Sequence, residues 1–110
     1  MKINELVKND RVILNYGSQN GDMATCGSFD RWQALQANGA SFKAWEADVV
    51  AKPRGKQPTV VFLKVYGFGT DMGDTYAHNI MAVKRDGAWV PITLEPKQLE
   101  MKAMVEAMGM

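Results

Sequence analysis

Apolar residues alternate with polar ones in several short segments of the chain, and such alternation is typical of β-strands. A first apolar run, residues 12–14, follows an Asn-Asp turn and predicts a strand that ends at Gly17. Residues 17–27 then read as a loop. Within Phe42 to Ala51, one strand face would carry Trp45, Ala47, Val49 and Ala51 with Lys43 among them, and the other face Glu46 and Asp48, which predicts a half-buried strand.

The most apolar segment is residues 60–66, where only Lys64 is polar. This segment predicts the central strand of a sheet, Thr59 to Tyr66, buried on both faces. Further along, Asp86-Gly87 separates two runs that favour β-structure, and both residues of a two-residue hairpin turn need positive φ. We therefore expect Ile80 to Arg85 to pair with Ala88 to Ile92.

Two segments have helical features. Asp30 and Gln33 have the spacing of a capping box, and Asn38-Gly39 would end the resulting short helix over residues 30–37. Near the C-terminus, Pro96 suits a first helical turn and Gly109 a helix end. Between them the apolar residues repeat at helical spacing, and they are Met101, Met104, Val105 and Met108.

Several strands followed by one C-terminal helix predict an α+β fold, built on a small antiparallel sheet or barrel of about five strands. The length of 110 residues and the mass of 12.2 kDa predict a single domain over residues 1–110. The helix would pack on one face of the sheet or close an open end.

The net charge and the single cysteine exclude some classes of function and predict a cellular compartment. The chain has 13 basic and 12 acidic residues, so a net charge of +1 excludes a bulk field that would draw the whole surface to DNA or to an anionic membrane. The lone Cys26 cannot form an internal disulfide. The first nine residues are too polar for a signal peptide, and no apolar run approaches the ~18 residues of a membrane span. We expect a soluble cytoplasmic protein.

A glycine-rich stretch, Gly67 to Gly73, follows the predicted central strand. Its spacing, G-x-G-x-x-x-G, differs from the dinucleotide fingerprint G-x-G-x-x-G, and the segment after it favours a strand instead of a helix. The lysine of a Walker A motif is also missing. Two interpretations remain: glycines that only allow a turn between strands, or a nest of backbone N–H groups that approaches an anion.

No residue set for catalysis or metal binding stands out. His78 is the single histidine, and neither Cys26 nor the serines at 18, 28 and 41 lie in a recognisable nucleophile motif. Asp71, Asp74 and His78 match no standard ligand set for a metal ion. We expect a protein that is not an enzyme and that uses no cofactor.

Basic and aromatic residues give a stronger signal. If the strands on either side of the glycine stretch pair, one edge of the sheet gathers rings, amides and cations. Rings stack on nucleobases, and guanidinium groups bind phosphate through two hydrogen bonds. The candidate ligand-binding residues are Arg54, Lys56, Tyr66, Phe68, Thr70, Tyr76, His78, Asn79 and Arg85. The competing interpretation puts Tyr66 and Phe68 in the core and leaves Arg54 in a solvated turn.

Two function classes therefore stay open. One is a non-enzymatic pocket for a small nucleotide-like anion, completed by a second subunit because one short chain has little room for a deep cavity. The other is a small SH3-like barrel that binds nucleic acid or a partner protein. The methionines of the C-terminal helix predict a homo-oligomer, although the same stripe could pack on its own sheet.

Three stretches, "NDRVIL", "WEADVVAKPRGKQPTVVFLKVYGFGTDMGDTYAHNI" and "DGAWVPITLEPKQLEMKAMVEAMG", carry a resemblance to small, mostly uncharacterised proteins of tailed bacteriophages and cyanophages. Those proteins share a strand before "PRG", a "VYG" step, a T-[ED]-x-G-x-x-Y turn and a T-P-K-Q-like helix start, from which "TLEPKQ" departs through Leu94 and Glu95. The resemblance covers roughly the last two thirds of the chain and implies a phage accessory protein in the host-cell cytoplasm.

A sheet followed by a C-terminal helix is also similar to the layout of phage anti-defence sponges such as the Thoeris anti-defence proteins. This similarity implies the sequestration of a cyclic nucleotide immune signal. It is a similarity of layout alone, so it assigns no residue of this chain to a ligand.

Overall fold

The computed structural model describes residues 1–39, 42–65 and 71–109. Within these residues an antiparallel sheet curls into a half-barrel, and two helices accompany it. The strands are β1 (Arg11–Gln19), β2 (Asp22–Thr25), β3 (Lys43–Val49), β4 (Val60–Val65), β5 (Asp71–Tyr76), β6 (Ile80–Arg85) and β7 (Ala88–Pro91). The helices are α1 (Phe29–Ala37) and α2 (Pro96–Ala107), and short 3-10 turns span Ile3–Glu5 and Ala77–Asn79. The predicted α+β class is confirmed.

The strand order is β5-β4-β3-β1-β6-β7, with β2 paired to the end of β1. The predicted central position of β4 is wrong, because β4 lies next to the edge strand β5, whereas β3 and β1 are the two middle strands of the order. Burial of β4 on both faces is also wrong. Val61 and Leu63 are 1% exposed, whereas Val60 is 38% and Phe62 57% exposed, since only one face of this strand is covered.

Two hairpin turns have the same construction. Asp86 and Gly87 have φ of 51° and 81°, and they connect β6 to β7 as the sequence predicts. Asn20 and Gly21 have φ of 53° and 86° and connect β1 to β2. The expected loop over residues 17–27 is therefore wrong, because an Asn-Gly turn in its middle allows the chain to fold back as β2.

Both predicted helices are present. For α1 the predicted cap is wrong, because the Ser28 hydroxyl, not Asp30, accepts the backbone N–H of Arg31 at 3.1 Å. Helix α2 has Pro96 at its first turn, as expected, and Glu95 and Gln98 form its capping box.

The sheet has two faces that are covered differently. The inner face carries the larger core, made of Ile3, Leu6, Val12, Leu14, Ala47, Val49, Val61, Leu63, Ala77, Ile80 and Val83. The outer face carries a smaller core of Ile13, Cys26, Phe42, Met81 and Ala82, against which the half-buried residues Phe29, Trp32 and Leu35 of α1 pack. The outer-face residues of β4 belong to neither core, so this part of the outer face is open to solvent.

Candidate anion-binding groove

A basic loop, residues 51–59, connects β3 to β4 and is fixed at several points. Pro53 and Pro58 are buried, whereas the charged residues of the loop, Lys52, Arg54 and Lys56, are exposed. The backbone N–H of Val50 donates to the Phe62 carbonyl at 2.9 Å, and the amide of Asn4 donates to the Lys56 carbonyl at 3.0 Å. The 3-10 turn Ile3–Glu5 therefore holds the loop against the sheet.

The first turn of α2 holds the other end of this loop. The Gln98 side chain is 1% exposed and donates to the Pro58 carbonyl at 2.8 Å. The Gln57 side chain in turn accepts the backbone N–H of Lys97 at 3.0 Å. The Gln98 side-chain oxygen also accepts the backbone N–H of Glu95 at 2.7 Å. These N–H groups at the start of α2 are thus already bonded to protein groups, and what α2 adds to the surface here is the Lys97 side chain.

A groove of about 630 Å³ lies between the basic loop, the outer face of β4 and the start of α2. Its described lining residues are Ala51, Lys52, Pro53, Arg54, Gln57, Pro58, Thr59, Val60, Phe62 and Lys97. Three of them are cationic and none is acidic. We call this feature the basic groove.

Two cations of the basic loop differ in how they are held. The Lys52 ammonium donates to the Asn4 carbonyl at 2.8 Å, which fixes its position at one end. Arg54 is exposed, and its guanidinium has no partner among the described residues. Beside them the Phe62 ring is 57% exposed. Ammonium and guanidinium groups bind phosphate oxygens, and an exposed ring offers a stacking surface for a base.

Only part of the predicted site falls in the basic groove. Arg54 lines it, and Lys56 is exposed on the same loop but does not line it. Tyr66, Phe68 and Thr70 lie outside the described residues, as does most of the glycine stretch. The prediction that this stretch forms a wall of the site stays a prediction.

The expected pairing of the strands around the glycine stretch is present, because β4 and β5 are antiparallel neighbours. Tyr76 lies directly opposite Val60 and so shares the outer face with it. The Tyr76 ring also stacks on His78, with centroids 5.3 Å apart and planes inclined by 11°. Tyr76 is thus close to the groove, whereas Asn79 is 7% exposed and donates to the Thr75 hydroxyl at 3.3 Å.

His78 faces helix α2. Burial lowers the pKa of its imidazole, the positive charge of Lys102 lowers it further, and Glu106 acts in the opposite direction. Its buried Nδ1 has no hydrogen-bond partner in the described part of the chain. At neutral pH this ring is therefore an uncharged part of the contact between α2 and the sheet.

Arg85 is committed to an ion pair. Its guanidinium lies 2.6 Å from a carboxylate oxygen of Asp10, and the same oxygen accepts the backbone N–H of Val7 at 2.8 Å. The carbonyl of Glu5 is a further, longer contact at 3.4 Å. Arg85 thus joins the N-terminal segment to β6 and does not line the basic groove.

Sequence reasoning missed Phe62, Val60, Lys52 and Lys97, which the structure brings together in the basic groove. A signal for Phe62 was present in the sequence. Residues 60, 62 and 64 share one face of a strand, and Lys64 marks that face as the solvated one. The approach of Lys97 depends on the contacts between Gln98 and Pro58, which span 40 residues of sequence.

Other site types are not visible among the described residues. They contain no group of three or more histidine, cysteine or acidic side chains placed to hold a metal ion. Neither described helix is long and apolar enough to cross a membrane. Comparison of the chain with protein-family models, with curated proteins and with solved structures found no match.

Proposed function

We propose that this protein is a non-enzymatic binder of a small nucleotide-like anion, with the basic groove as its site. The observation that carries the proposal is the placement of Lys52, Arg54 and Lys97 around the exposed Phe62 ring, with no acidic residue among the described lining. A phosphate would lie against the cations and a base against the ring. The volume of about 630 Å³ falls within the range of ordinary ligand sites.

The biological role in this proposal follows the resemblance to phage proteins. The protein would be a phage accessory protein in the host-cell cytoplasm that sequesters a nucleotide signal, such as a cyclic nucleotide, and so blocks host defence. Binding without turnover suffices for that role. The basic groove supports this role because it combines three cationic side chains with the exposed Phe62 ring.

Binding of single-stranded nucleic acid is the second candidate. The open outer face of β4 favours it, because a strand could pass over the exposed Phe62 without entering an enclosed pocket. Asp74, an exposed acid directly opposite Phe62 in the sheet, disfavours phosphates beside the ring for both candidates. The same open face could instead bind a partner protein. We prefer the small ligand because a net charge of +1 gives little support to contacts with many phosphates.

A second subunit would complete the groove. Lys97, Met101, Met104 and Met108 follow one side of α2, so the methionine stripe starts at the wall of the basic groove. Met104 and Met108 are 53% and 62% exposed, and methionine suits adaptable subunit contacts.

We expect Met104→Glu to shift the protein from dimer to monomer in sedimentation velocity. A wild-type monomer at micromolar concentration would contradict the oligomer.

The test of function is a titration by calorimetry with adenosine monophosphate, cyclic mononucleotides and cyclic dinucleotides, single-stranded DNA and RNA, and inorganic phosphate. We expect one of the nucleotides to bind and to be recovered chemically unchanged. Arg54→Ala and Lys97→Ala should each weaken binding about fivefold, as for a solvent-exposed ion pair. Phe62→Ala should weaken it about tenfold through lost stacking.

The matched control is Lys8→Ala, which removes an exposed lysine outside the groove. It should leave the affinity unchanged. Equal weakening by Lys8→Ala and Arg54→Ala would point to nonspecific charge attraction. A preference for long single strands over every mononucleotide would favour the second candidate, and recovery of a hydrolysed or transferred product would overturn the absence of catalysis.

A further inference from the structure

A second groove lies on the outer face, between α1 and strands β3, β6 and β7, away from the basic groove. Its volume is about 410 Å³. Trp32 and Trp89 both line it and pack on each other edge to face, with ring centroids 6.4 Å apart and planes inclined by 79°. The buried residues Ile13 and Phe42 form its floor. We call it the indole groove.

The indole groove lies beside α1, which packs on the sheet without burying any of its own residues. None of the residues of α1 is buried, and it reaches the sheet through the half-buried Phe29, Trp32 and Leu35. The Gln36 amide, which donates to the Phe42 carbonyl at 3.1 Å, ties the end of α1 to the groove floor.

Besides Gln36, the indole groove has further hydrogen-bond donors in its lining. The indole N–H groups of Trp32 and Trp89 have no acceptor in the described part of the chain, although both side chains are half-buried. At the mouth, the Lys84 ammonium lies 5.8 Å from the centroid of the Trp89 ring. Lys43 and Glu46 also line the groove, so the described lining has two positive charges and one negative.

We propose that the indole groove binds a small aromatic carboxylate. The walls offer ring edges and faces to an aromatic group, for which offset and edge-to-face contacts are favourable. The indole N–H groups and the lysines are hydrogen-bond donors, and the net charge of the lining favours an anion. This site is separate from the basic groove, whose walls contain no tryptophan.

The probe is 3-phenylpropionate, followed by ¹H–¹⁵N NMR with the folded protein. The chain has three tryptophans and so three indole signals. We expect the Trp32 and Trp89 signals to shift, while that of Trp45 stays in place because Trp45 packs on the inner-face core next to Tyr16. Signals that all stay in place at millimolar probe, or shifts confined to the basic groove, would overturn the proposal.

Charge variants test the same site without disturbing the core. Lys84→Gln should weaken 3-phenylpropionate binding about threefold, and Glu46→Gln should strengthen it about twofold by removing a like charge. Lys8→Gln is the matched control and should change nothing. The neutral analogue 3-phenylpropanamide should bind at least threefold more weakly. Equal binding of the amide, or stronger binding by Lys84→Gln, would contradict a carboxylate site.

Discussion

The two faces of the β-sheet are closed to different degrees. On the inner face, Ile3 and Leu6 from the N-terminal segment pack on the side chains of β1, β3, β4 and β6, and most of these residues have almost no exposed surface. On the outer face, α1 contributes no buried residue, and the outer side of β4 has no cover among the described residues. The inner face holds the fold together, and the outer face keeps surface available.

Both grooves belong to the outer face, where α1 buries none of its residues and the outer side of β4 is exposed. An exposed ring costs the fold the hydrophobic free energy that its burial would provide, about 25 cal/mol for each Å² of apolar surface. Phe62, Trp32 and Trp89 leave part of such free energy unused, whereas the buried core residues of the inner face use nearly all of theirs. In the proposed function, stability and binding thus belong to opposite sides of one sheet, and this division can be tested face by face.

The largest effect is expected for Leu63→Ala on the inner face. Leu63 is 1% exposed within the core, so the truncation leaves a cavity and should lower the free energy of unfolding by about 2.5 to 5 kcal/mol. The measurement is urea denaturation followed by tryptophan fluorescence. Its matched control is Phe62→Ala, one residue earlier on the outer face, with an expected loss below about 1 kcal/mol. Equal losses for the two would remove the distinction between the faces.

A smaller loss is expected for Gln98→Ala, where α2 joins the basic loop. The variant removes a buried amide that donates to the Pro58 carbonyl at 2.8 Å and accepts the Glu95 N–H at 2.7 Å. Leaving these groups without partners should cost about 2 to 3 kcal/mol in urea denaturation. The control Gln33→Ala removes an exposed glutamine of α1 and should cost close to nothing. A Gln98 variant as stable as the control would show that this anchor contributes little.

The sequence predicted local features of the fold well. Period-two patterns placed most strands, and Asp86-Gly87 and Pro96 marked a hairpin and a helix start, because turn and cap preferences depend on a few adjacent residues. The second hairpin was missed although Asn20-Gly21 carries the same signal, since the polar residues around it favoured a loop. The strand order and the cover of each face depend on distant contacts, which no local pattern contains.

The candidate site was predicted less well for the same reason. Arg54 was recognised by its residue type and its place in a turn bounded by prolines, and it does line the basic groove. Arg85 has the same chemistry, but Asp10, 75 residues away in the sequence, holds its guanidinium. Composition identifies a cation, whereas only the tertiary structure tells whether that cation is already paired.

On the outer face, Ser28→Ala should have a modest and local effect. The Ser28 hydroxyl caps α1, and the loss of such a cap costs about 1 kcal/mol. Because α1 buries no residue, we expect the loss to appear as faster hydrogen exchange of the α1 amides, with little change in the exchange of β1 and β6. Ser28→Asp retains a capping oxygen and should exchange as the wild type does. Faster exchange throughout the sheet would show that α1 is an integral part of the core.

The smallest effect concerns pH and the contact between α2 and the 3-10 turn Ala77–Asn79. Burial, reinforced by Lys102, lowers the pKa of His78 in the folded state, whereas in the unfolded chain the pKa is near the ordinary value of about 6.5. Below about pH 6.5 the unfolded state therefore binds more protons than the folded state, and the stability falls as the pH falls until the folded-state pKa is passed. Glu106 and the stacked Tyr76 ring favour the charged imidazole and reduce the effect.

His78→Gln should consequently lose less stability than the wild type between pH 7.5 and pH 5.5 in urea denaturation. Parallel pH profiles for the two proteins would show that His78 keeps its unfolded-state pKa and that α2 does not bury it effectively.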